Sequence, residues 1–198
     1  MEEKDIEYLD SFEASTLKEM IGLCTSLGML DGSLPETDDI NAKWKEFAPS
    51  YMAEAVPNLN SFPEAAIGWA GYIGLAVAKW WDEDWGRHHG EKYEILHGSR
   101  GFDDMDDHII RDILGYELGS PQAGVITKML LSCTQIAISH IRHESPETQT
   151  ALAFHLFARA ARAMFKIGAA IELKKLGYRY QKAILNTVPT DRNGKKLS

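Results

Sequence analysis

His155, Arg159, Arg162 and Lys166 lie in a stretch whose other residues are almost all apolar. On a helix, offsets of 4, 7 and 11 confine all four to a sector of about 60°. Arg presents a planar fork that matches phosphate or carboxylate, so this basic stripe is a candidate anion clamp. The alternative is a solvated face, or a stripe paired with acids from elsewhere in the chain. If the helix is central, its charges need partners rather than water.

A second set is Asp103, Asp104, Asp106 and Asp107. Clustered carboxylates suit a hard divalent cation, which takes oxygen ligands. Read as D-D-x-x-D through Asp103, Asp104 and Asp107, the run resembles the aspartate-rich motif of helical isoprenoid diphosphate enzymes. That resemblance spans five residues and implies magnesium at these three carboxylates. The chain is shorter than that family's usual domain, and no second metal motif follows, so membership is not drawn from it. Acids also gather at helix N-termini because the macrodipole stabilises them there.

His140 and Glu144 stand one helical turn apart, in reach of a shared metal ion or of each other. Cys133 precedes His140 by seven residues, about 10 Å along a helix, so the two form no catalytic dyad there. The segment from Trp80 to His89 packs three Trp, three acids and two adjacent His, with Glu94-x-x-His97 after it. That spacing is half of a carboxylate-bridged di-metal bundle, and no second Glu-x-x-His follows. Wedging of Trp80, Trp81 and Trp85 into a core accounts for the same residues. Asp104, His108 and Asp112, at spacing four, read as an exposed polar face. Phosphate-binding loops, dinucleotide fingerprints, zinc-protease motifs and nucleophile elbows are missing. No cofactor is evident beyond a divalent metal at the candidate ligands Asp103, Asp104, Asp107, His140 and Glu144.

These residues need elements to hold them. The 198 residues suit one domain, with 44% apolar and 25% charged residues, the composition of a globular chain. Cys24 and Cys133 make neither a C-x-x-C pair nor a disulfide framework, and no signal-like apolar segment opens the chain; a cytoplasmic location is expected. The longest charge-free run, Ala65 to Ala78, falls short of a membrane span, so no membrane is expected. The net charge of −8 argues against nucleic acid. Residues 1–120 carry a net −16 and residues 121–198 a net +8. Such halves either neutralise each other on folding or leave a basic face for an anion.

The periodicity predicts an all-α, single-domain bundle of about six to eight helices. Its centre is the segment 62–85, which opens on Ser61-Phe62-Pro63-Glu64 and is apolar around almost its whole circumference. Ala66, Ala70, Gly74 and Ala78, at spacing four, invite a close neighbouring backbone. Further helices are expected over 16–30 with Ser15 as cap and a shorter one ahead of it, from Asp38 to Pro49, over 52–56, 103–118 and 122–144. A last one runs from the start signal Ser145-Pro146-Glu147 to about Leu176, where Gly177 ends it. Residues 1–185 then form the domain and 186–198 a frayed polar tail.

Three functions fit. The first is a non-enzymatic intracellular module for protein interaction, either with a partner or with itself as a homodimer. The second is a metal-dependent enzyme acting on a phosphate or diphosphate compound. The third is a bundle that binds a small anionic ligand in a pocket lined by Trp69, Trp80 and Phe157.

Overall fold

The computed structural model describes residues 3–178, so the boundary expected at 185 and the tail 186–198 lie outside the described residues. Six α-helices occur among them: α1 (Glu3–Ser26), α2 (Asp38–Asn58), α3 (Pro63–His88), α4 (Met105–His108), α5 (Pro121–Glu144) and α6 (Ala151–Lys175). The protein is all-α, with α3 at its centre. Pro63 takes the first helical position of α3, where its missing N–H costs nothing, and Glu64 sits in the favoured first turn. From Ala66 to Ala78 every residue but Trp69 is buried.

The most extensive packing in the protein is α3 on α6. A β-carbon at Gly74 would lie 2.0 Å from the Phe165 carbonyl oxygen, and one at Gly168 would lie 1.9 Å from that of Gly71. The two backbones therefore touch, and only hydrogen side chains permit it. On the other side, α2 is bolted to α3 by Tyr51. Its buried hydroxyl donates to the Ala66 carbonyl at 2.8 Å and accepts from the Ala70 N–H at 3.0 Å. The buried ammonium of Lys43 donates to the carbonyls of His89 and Glu91 just past the end of α3, and pairs with Glu46.

Four sequence boundaries are corrected. Helix α1 runs unbroken through Ser15, because no Gly or Pro interrupts Ile6 to Ile21. Helix α2 continues through Pro49, which is exposed, so the expected break and separate helix over 52–56 are one element. The 103–118 segment is a short 3-10 turn, then α4, then a wide turn over Ile109–Ile113, closed by Gly115 at φ 73°. Helix α6 starts at Ala151 with Thr150 as its cap, six residues after Ser145. Ser145 instead closes α5 in the left-handed conformation.

Candidate functional site

The stripe predicted on α6 forms, and it faces a carboxylate of the protein itself. Glu13 on α1 is 4% exposed. Arg159 Nη1 lies 2.9 Å from Glu13 Oε2, Arg162 Nε lies 2.7 Å from Oε1, and Arg162 Nη2 also donates to Oε2. Asp10 joins Arg159 at 2.6 Å, and Lys166 reaches Glu36 at 2.9 Å. Burial works against the Arg159 charge, but Glu13 and Asp10 outweigh it and hold its pKa above the ordinary value. His155, half-buried, sets its ring edge-on to Phe154 at 5.6 Å. The sequence identified the stripe, with pairing to acids elsewhere in the chain as the alternative to an anion clamp, but did not single out Glu13, which is one acid among many on α1.

The aspartates separate. Asp103 is exposed. Asp104 turns back on its own loop, accepting from the Arg100 N–H at 3.0 Å and the Ser99 hydroxyl at 3.0 Å. Burial alone would raise its pKa; these donors and the Arg100 charge lower it below the usual carboxylate range. Asp106 goes the other way: burial raises it, and the charges on Asp107 and Asp104 add to the rise. Tyr72 on α3 is pushed up to about 12, mainly by burial, with Asp106 and Asp107 contributing. Asp107 stays half-buried beside the α4–α5 connection.

His140 and Glu144 each turn to α1 instead of to each other. His140 Nε2 meets Glu19 Oε2 at 2.7 Å, and the Tyr8 hydroxyl donates to Glu144. Among the described residues no three His, Cys, Asp or Glu side chains gather in a set able to hold a metal ion. His97 pairs with Glu54 at 3.0 Å, as does the Tyr93 hydroxyl at 2.8 Å, and Glu94 has no part in it. Trp80 is buried and stacks on His88 with 6° between the rings, while Trp81 and Trp85 flank the core half-buried.

A different place has the features of a ligand site. Where α3 begins, α5 ends and α6 begins, a groove of about 520 Å³ opens. Pockets of this volume hold small molecules. Ile67, Ile138, Ile141 and Phe157 make its floor. Phe157 was expected in a pocket; Trp69 and Trp80 lie elsewhere. Arg142 stands on the rim, and its guanidinium pairs with no side chain among the described residues. Pro63 and Ala153 belong to the first turns of α3 and α6, so two positive helix ends border the space. Ser145 and Gln149, at φ 46° and 64°, also line it; among the described residues they alone are non-glycine at positive φ. Such backbone is costly and gathers at functional sites. The sequence carries no signal for this groove, because it forms where the α2–α3 connection meets the α5–α6 connection, about 80 residues further along the chain.

No protein-family model, curated protein or solved structure matches the chain.

Proposed function

We propose that the protein is a non-enzymatic binding module whose ligand is a small amphipathic acid held in the groove between α3, α5 and α6. The observation that carries this reading is the convergence of three features there. An apolar floor would take the ligand's body. Arg142, unpaired among the described residues, would take its carboxylate by charge-assisted hydrogen bonds. The left-handed backbone at Ser145 and Gln149 gives the rim its shape. Titration with octanoate, followed by amide NMR, tests it. Saturable shifts are expected at Ile67, Ile138, residues 141–145 and 147–149, and Ala153. Uniform drift without saturation would remove the proposal.

Self-association is a second reading, and one observation favours it. On the outer face of α5 Leu131 is 49% exposed and lines one hollow with Leu118, while Val125, 53% exposed, lies across Lys128 from them. Asp107 and Lys128 border the same surface, so a two-fold copy would meet both apolar and opposite charges. Light scattering over a concentration series should then show a dimer that Leu131→Glu returns to monomer. A wild-type monomer at every concentration rejects it.

A further inference from the structure

Cys24 and Cys133 are the chain's two cysteines, 109 residues apart, and the fold brings them together. Their sulfurs lie 3.6 Å apart between α1 and α5, and neither residue has any exposed surface. A buried thiol acting as a small apolar side chain accounts for one such residue. It does not account for both meeting across two helices. We propose that Cys24 and Cys133 form a site of reversible oxidation, at which a peroxide converts the dithiol to a disulfide joining α1 to α5.

The step balances. The Cys24 sulfur attacks one peroxide oxygen, the O–O bond breaks, and the first water leaves, giving a sulfenic acid. The Cys133 sulfur then attacks the Cys24 sulfur, the S–O bond breaks, and the hydroxyl leaves with the Cys133 proton as a second water. Two thiols are oxidised by two electrons and one peroxide is reduced. A dithiol reductant reverses the bond by exchange.

Access follows from position. Cys24 lies in the last turn of α1, and its carbonyl accepts the N–H groups of Met29 and Leu30 in the turn that closes the helix. Helix ends open at low cost, so a small oxidant reaches the sulfur without global unfolding. The product is neutral and suits its apolar surroundings, which include Met129 Sδ at 3.5 Å.

The test treats native full-length protein with hydrogen peroxide, blocks free thiols, and reads the intact mass and the non-reducing peptide map. The expected result is loss of two hydrogen masses and a cross-linked peptide containing Cys24 and Cys133. Closing so long a loop should also raise Tm by roughly 10 °C. A dithiol should restore mass and Tm, and Cys24→Ser should remove both changes. Two blockable thiols after treatment overturn the proposal. So do oxygen adducts on separate sulfurs, Met129 included, or a disulfide between two molecules.

Discussion

Two of the places where arginine meets the bundle have opposite results. Along the α1–α6 seam, Arg159 and Arg162 close on Glu13, and the anion they would recruit is already part of the chain. At the groove, Arg142 borders an apolar floor with no carboxylate of the described chain against it. The residue type is the same, and the partner decides the role. A buried carboxylate with two guanidiniums is a device for holding helices together, whereas a cation left beside an apolar hollow is an anchor for something from outside. The acidic and basic halves of the sequence neutralise each other at the first place and not at the second.

Removing the carboxylate should do the most damage. Glu13→Gln leaves Arg159 with Asp10 alone and Arg162 without its carboxylate, and should cost about 3 kcal/mol, seen as a fall in Tm of roughly 10 °C. The groove should keep its shape and its ligand. Unchanged stability would mean that water already satisfies these arginines.

A smaller effect is expected where a charge has no opposite partner among the described residues. Asp106 has a folded pKa above its ordinary value, so the folded chain binds this proton more readily than the unfolded one. Ionised Asp106 therefore costs stability above its folded pKa, and that cost vanishes once pH falls below the unfolded value near 4. Asp106→Asn should raise Tm by about 2 °C at neutral pH and lose that gain in acid. A gain that persists in acid would assign the effect to packing. Smallest of all, Arg142→Ala should leave thermal stability within about 0.5 kcal/mol, as expected for an exposed side chain without partners among the described residues.

Helix α3 was legible because two local signals agree: Pro63-Glu64 marks its start, and its all-round apolar surface marks it as central. The α6 stripe was legible for the same reason, since spacing alone sets its sector. What faces it was not: Glu13 lies 146 residues from Arg159, and nothing local distinguishes it from Asp10 or Glu19. Ser145-Pro146-Glu147 misled because a residue that can cap a helix start can also close the helix before it. Pro49 misled because a solvent-facing proline can remain inside a helix held by tertiary packing at Trp44, Phe47 and Tyr51. The groove depends on how α3, α5 and α6 end against one another, which no single segment encodes.

Calorimetric titration of octanoate and octanol into wild type and Arg142→Ala tests the groove most directly. One saturable octanoate site is expected in the wild type, weakened about tenfold by the substitution, with octanol weak in both. Equal affinity of the two proteins for octanoate, or of the wild type for acid and alcohol, would contradict the role given to Arg142 and the anionic ligand inferred from it.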